Sequence, residues 1–195
     1  MSRESIIDKA YRCIDEIYPD ANTLNEGYLP IEAFMGEVVH WVIKSVPLHT
    51  LTIRESGSDV LGDVTVDNNN VGRGIIPEDI GRIAYFRAAG WKRPVLEPIY
   101  DTDALYRQQM NKVLRGNPTR PVAAIVGANM LEWYTATQDA SYVIDFVPFD
   151  VDYIPSMLED IAAWKLAEVV LLSMNDAQAA SICTAKVNEH LNILA

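Results

Sequence analysis

The sequence is poor in the side chains that most often do chemistry. Its 195 residues include two cysteines, Cys13 and Cys183, and three histidines, His40, His49 and His190. Each cysteine sits among apolar residues of a helical pattern, at opposite ends of the chain. That placement predicts two small buried side chains rather than a disulfide, and with it a reducing environment. No histidine stands four residues from another, and none adjoins a cysteine. His40 therefore reads as a packed or half-exposed ring, not a metal ligand. Cys183 and His190 share a helix face, but the rise between them is roughly 10 Å, too far for a hydrogen bond. Glycine patterns are missing too. There is no G-x-x-x-x-G-K-[ST] phosphate loop and no G-x-S-x-G elbow, and the lone G-x-G at Gly72-Arg73-Gly74 is explained by a turn. Apolar runs such as the one at 169–172 fall far short of the ~20 residues that span a membrane. The polar start Met-Ser-Arg-Glu-Ser lacks the apolar core of a leader peptide. Neither a membrane span nor a leader is expected.

Acidic pairs are present but have plain explanations. Asp150 with Asp152, and Glu159 with Asp160, lie near an expected helix start, where carboxylates favour the positive end of the helix dipole. Asp59, Asp63 and Asp67 recur every four residues, whereas a calcium loop needs closer, alternating ligands around a central glycine. No catalytic residue, metal ligand or cofactor site is assigned.

Charge is plentiful and unevenly spread. The net charge is −11, which argues against wrapping nucleic acid over the whole surface. Residues 73–120 hold nine basic residues against five acids, so this window is +4 and the remainder −15. A chain polarised in this way can meet copies of itself head to side, basic window against acidic flank.

Periodicity divides the chain. Ile6, Ile7, Ala10, Tyr11, Ile14, Ile17 and Tyr18 form one helical stripe that ends at Pro19-Asp20. A linker at 21–29 leads to Pro30, suited to the first turn of a second helix that carries Ile31, Phe34, Met35, Val38, Val39, Val42, Ile43 and Val46. After Pro47 the pattern changes to strands at 48–53, 60–66 and 71–76. Ser56-Gly57-Ser58 and Asp67-Asn68-Asn69-Asn70 serve as turns. Residues 100–114 read as a short helix or an extended arm. Three more strands follow at 121–127, 130–137 and 142–149. From Pro155 a helix returns that is apolar nearly all round, the mark of a core or an oligomer contact, and a last helix spans 177–194. The expected fold is α+β: a helical bundle from 1–47 and 151–195, with an inserted antiparallel β-rich region at 48–150.

Residues 74–99 stand out within the β-rich part. Ile80, Ile83, Tyr85 and Phe86 suit a strand, Ala89-Gly90 a turn, and 91–96 a return strand that Pro94 places at an edge or bulge. This predicts a β-hairpin with basic and aromatic side chains on one exposed face. Arg82, Arg87, Lys92 and Arg93 are the expected contacts across an intersubunit or inter-ring surface, with Trp91 as anchor, because aromatics and arginines dominate interface energetics. The same residues admit a stacking platform for single-stranded nucleic acid. The net charge instead favours aromatics turned to the sheet core and basic residues turned to a neighbouring acidic surface. A small enzyme or binding protein with a pocket in the β region is a further alternative.

The layout resembles that of the head–tail adaptor and tail-tube ring proteins of short-tailed bacteriophages, including those of crAss-like phages. The resemblance rests on a helical start ending in Tyr18-Pro19, on Ile75-Ile76-Pro77-Glu78-Asp79-Ile80-Gly81-Arg82-Ile83, and on Gly90-Trp91-Lys92-Arg93-Pro94-Val95. Residues 118–121 and the paired C-terminal helices complete it. The family's stretch has the form Leu-Pro-x-Asp-hydrophobic-x-Arg ahead of a hairpin, and this chain departs from it with Ile76 in place of leucine and Ile80 where an aromatic is common. The resemblance implies a non-enzymatic virion component of the tail or neck, assembled in the host cytoplasm. It further implies a homo-oligomer, a dodecameric ring, between the portal and other tail proteins. DNA would pass through its lumen without sequence-specific binding.

Overall fold

The computed structural model describes residues 2–18, 31–51 and 55–194. The expected linker at 21–29, its flanking prolines Pro19 and Pro30, and the end of the strand expected at 48–53 lie outside them. Among the described residues the order is helices, then strands, then helices, an α+β fold. The chain divides into two compact units, one of Met1–Ile53 with Phe149–Ala195 and one of Arg54–Pro148.

The helical unit is built around α4 (Glu159–Ser173), which packs against α1 (Arg3–Ile17), α2 (Met35–Ser45) and α5 (Ala177–Leu194). The all-round apolar character of α4 is spent inside the unit, with Ile161, Ala162, Ala163, Trp164, Leu166, Ala167, Val170 and Leu171 all buried. On α1 the buried side chains are Ile6, Ala10, Cys13 and Ile14, one stripe as the spacing requires. Ser2 caps α1 by accepting from the Ser5 N–H at 3.2 Å. Lys9 bridges to Glu159 at 2.8 Å and Asp160 at 2.6 Å, so the carboxylate pair at the start of α4 is partnered across the helices. The α4–α5 link is a Schellman turn. Asn175 takes a left-handed φ of 61°, the Asp176 N–H reaches the Leu171 carbonyl at 3.0 Å, and the Asn175 N–H reaches Leu172 at 3.0 Å. Asp176 then caps α5 through the Ala179 N–H at 3.0 Å and accepts from the Tyr18 hydroxyl. Buried Glu168 on α4 is neutralised by Lys165 at 2.8 Å, whose ammonium also lies 4.8 Å from the Trp41 ring.

The β unit holds two sheets. The first has the order β1-β8-β4, from β1 (Glu55–Gly57), β8 (Tyr142–Pro148) and β4 (Ile80–Ala88). The second has the order β2-β3-β7-β6-β5, from β2 (Gly62–Val66), β3 (Val71–Ile75), β7 (Met130–Tyr134), β6 (Ala123–Val126) and β5 (Ile99–Tyr100). All pairings are antiparallel except the two-residue β5–β6 contact. The β2–β3 hairpin turns where the asparagine cluster predicts. Asp67 accepts from the Asn69 N–H at 2.8 Å and the Val71 N–H at 3.0 Å, and Asn70 adopts φ 58°. Phe86, Trp91, Trp133 and Tyr142 form the centre of the core, with ring centroids 5.2–6.0 Å apart. Gly72 opposes Trp133 in the β3–β7 register, and a Cβ on it would meet the indole at 2.1 Å. Only glycine lets the ring lie there.

Three expectations are corrected. Leu48–Thr50 is a 3₁₀ turn, not the start of a strand; Pro47 precedes it, and the Thr50 hydroxyl donates back to the Pro47 carbonyl at 2.7 Å. Residues 55–57 are a short edge strand rather than a turn, held to β8, with the Ser56 hydroxyl on Asp145 at 2.6 Å. The hairpin expected over 74–99 does not form as a ladder. β4 pairs with β8, more than fifty residues later, and the return segment contributes one isolated bridge, Phe86 with Val95. Pro94 and Pro98 lack the N–H donors a ladder needs, and the Trp91 side chain turns inward instead of lying on a strand face.

Candidate interaction surface

The five residues singled out from the sequence separate into three environments. Trp91 is 2% exposed. Its indole N–H donates to the Tyr134 carbonyl at 3.0 Å and the Thr135 hydroxyl at 3.2 Å, and its ring meets Phe86 edge-on at 81°. It anchors the core of the β unit, so its ring has no free face for an interface or a nucleic-acid base. Arg82 and Arg87 project from β4. Arg82 is half-buried and forks onto Glu97, with Nε at 3.0 Å and Nη2 closer still. Arg87 is exposed and donates through Nε to the Trp91 carbonyl at 3.2 Å, tying the return segment to the strand. Lys92 and Arg93 are exposed, and among the described residues neither forms an ion pair. The Lys92 N–H donates to the Pro118 carbonyl at 2.7 Å, which brings the segment beside the 117–120 turn. Lys92 and Arg93 are therefore available basic side chains, Arg87 is partly committed, and Arg82 is neutralised locally.

The feature that periodicity missed lies a few residues on. α3 (Ala104–Gln108) has no buried residue, and in the turns after it a glutamine is buried while apolar side chains are exposed. Gln109 is buried; its side chain donates to the Leu105 carbonyl at 2.9 Å and accepts from the Gly116 N–H at 2.7 Å. Arg115 donates to the Gln109 carbonyl at 2.9 Å and to the Asn69 carbonyl at 3.3 Å, with its guanidinium 5.4 Å from the centre of the Tyr134 ring. Beneath them Glu132, buried on β7, is held by Arg73 at 2.8 Å and by the Tyr134 hydroxyl. Burial, then the bond to Glu132, pushes the Tyr134 phenol far above its ordinary value; Tyr106 is raised chiefly by burial, with Glu132 adding to it. Both phenols stay neutral and act as donors. While Gln109 is buried and Arg107, Gln108, Asn111 and Lys112 are exposed, Leu105, Met110, Val113 and Leu114 also point out, with Val113 90% exposed and Met110 66% exposed. A run with no apolar stripe conceals this arrangement. The only hint in the sequence is four apolar residues within ten, set among glutamines and basic residues.

The remaining candidates are quiet. Cys13 and Cys183 are buried free thiols, pushed up to about 12 and about 11 chiefly by burial. His40 stacks on Phe149 at 3.8 Å; desolvation, with help from Lys44, lowers its pKa. Among the described residues no three His, Cys, Asp or Glu side chains come close enough to hold a metal ion, and Asp67 of the four-residue acidic series is engaged in its turn and with Arg73. No described helix is long and apolar enough to cross a membrane. Two open grooves flank Tyr142, one of about 290 Å³ beside Tyr85, Arg87 and Val143, the other of about 500 Å³ beside Asp59, Val64 and Asp139. Compared with known families and with curated proteins, the chain matches none.

Proposed function

We propose that the chain is a non-enzymatic structural protein of a bacteriophage virion, forming a ring in the head–tail connector or tail that links the portal to the tail and lines the DNA path. The observation that carries this reading is the partition of charge between the two units. Residues 54–148 hold ten basic and twelve acidic residues, whereas the helical unit holds six against fifteen. Lys92, Arg93, Arg107, Lys112 and Arg120 are exposed on the β unit and form no ion pair among the described residues. Unpaired basic side chains on one unit and an acid excess on the other suit a heterologous contact between copies, which closes into a ring when its rotation allows. Net negative charge around a lumen also lets DNA slide without adhering, because like charges repel. The segment that carries the resemblance, residues 75–83, runs from the end of β3 through a turn into β4, in the unit that holds those basic side chains.

The test is the mass of the purified protein in solution, alone and mixed with portal and tail proteins, followed by negative-stain imaging of the large species. Rings, alone or on mixing, are expected. A monomer or dimer under every condition, portal present or not, refutes the reading.

A further inference from the structure

We infer that the apolar and basic segment at 104–114 is the surface by which one copy docks on the acidic helical unit of a second copy. The inference rests on the ring reading and gives its intersubunit contact a different centre from the one the sequence suggests: the apolar side chains of this segment in place of Trp91. Three observations support it. The segment exposes Leu105, Met110, Val113 and Leu114 within ten residues, while its polar Gln109 is buried and its backbone and side-chain bonds are made inward. An isolated chain gains nothing by that arrangement, since exposed apolar surface is favourable only when a partner covers it. The shape is also fixed before binding. Arg115 and Gln109 hold the segment to itself and to Asn69, and Gly116 is packed so closely on Val122 that a Cβ would sit 2.9 Å from it. Finally, residues 104–120 carry Arg107, Lys112, Arg115 and Arg120 with no acid among them. A surface both apolar and basic selects a partner that is acidic with apolar residues between its charges. The helical unit of another copy has that composition, with fifteen acids and with Leu172, Met174 and Ile182 exposed.

The experiment places a photoreactive benzoylphenylalanine at position 113 in the full chain and mixes isotopically light and heavy copies, so that mass spectrometry separates cross-links between chains from those within one. Cross-links between chains into residues 3–51 or 149–194 are expected. In parallel, the double variant Val113→Asp, Leu114→Asp and the charge reversal Arg107→Glu, Lys112→Glu are followed by sedimentation. Each should weaken self-association at least about tenfold, with unchanged circular dichroism and thermal midpoint, because the substituted side chains are exposed. Rings or multimers that persist undiminished in both variants, or cross-links between chains that fall only within residues 55–148, overturn the inference and leave the ring reading standing. A wild-type chain that stays monomeric at every concentration overturns the inference as well. In that case rings formed on mixing with portal protein keep the broader reading, and their absence removes both.

Discussion

Replacing Trp91 by alanine separates a core residue from a surface anchor. The structure puts the indole at the meeting of β4, β7 and the core ring of Phe86, with its N–H spent on Tyr134 and Thr135. Truncating a buried tryptophan removes its transfer free energy and leaves a cavity, at a cost of about 3–5 kcal/mol. That is a large share of the roughly 5–15 kcal/mol that holds a domain folded. Trp91→Phe keeps most of the ring and loses the donor. Its cost should be smaller, about 1 kcal/mol, since the Tyr134 carbonyl keeps the Thr135 hydroxyl as a partner. Lys92→Ala and Arg93→Ala, one and two residues on, should stay within about 0.5 kcal/mol of the wild type. The assay is urea unfolding followed by circular dichroism at one low protein concentration, so that association does not contribute. A Trp91→Ala loss under about 1 kcal/mol, in a chain that keeps its native spectrum, would show that the indole is not in the core and would return it to the surface.

Gly72→Ala should cost about 1–3 kcal/mol or more, because the added methyl meets the ring of Trp133, which the packed core holds in place; an alanine variant as stable as wild type, measured by the same urea titration, contradicts the close approach. Lys9 holds the Glu159 carboxyl below its ordinary value, and the Tyr18 hydroxyl does the same for Asp176. The stability these groups add is present above the ordinary carboxylate range and is lost as pH falls through the lowered values. Lys9 itself is raised, so its share is intact at neutral pH and is lost only as pH rises above its ordinary 10.5. Lys9→Met should therefore flatten the acid limb of a melting-temperature profile, and an unchanged limb would show that the pair is idle. Cys13 and Cys183 should react with a thiol reagent only as fast as the helical unit opens, and rapid labelling of the folded chain would place them outside the core.

Much of the architecture is legible in the sequence, for reasons that can be assigned to particular residues. Helices α1, α4 and α5 and the strands at 62–66, 71–75, 123–126, 130–134 and 142–148 fall close to where apolar pattern and turn residues place them, because those signals are local to each element. Apart from the 3₁₀ turn at 48–50, which is held locally by Pro47, the failures share one cause, long-range pairing. Residues 80–88 read correctly as a strand, but their partner is β8 rather than 91–96, and nothing local to Trp91 records that its N–H meets a carbonyl over forty residues away. β1 is three residues long and exists because β8 offers it an edge. Trp91 was recognisable as important, yet its side was not, since an aromatic beside two basic residues has the same composition on a surface as in a core. The segment at 104–114 was least legible. Its shape depends on Glu132 and Tyr134 of β7 and on Asn69, drawn from one distant strand and a turn, so no periodicity within the segment itself carries the information.

The position of α4 has a consequence for synthesis. Its neighbours α1 and α2 are made first, then the whole of the β unit, and only then α4 itself. The apolar stripe of α1 has no cover until some 140 residues later in the chain, a span read from the ends of α1 and the start of α4. The β unit is a single uninterrupted stretch that can fold as it emerges, since domains generally fold as units during translation. A chain made only as far as residue 158 would therefore hold the strands of both sheets, preceded by two helices whose partner α4 is still missing, and such intermediates are the ones that chaperones bind or proteases remove.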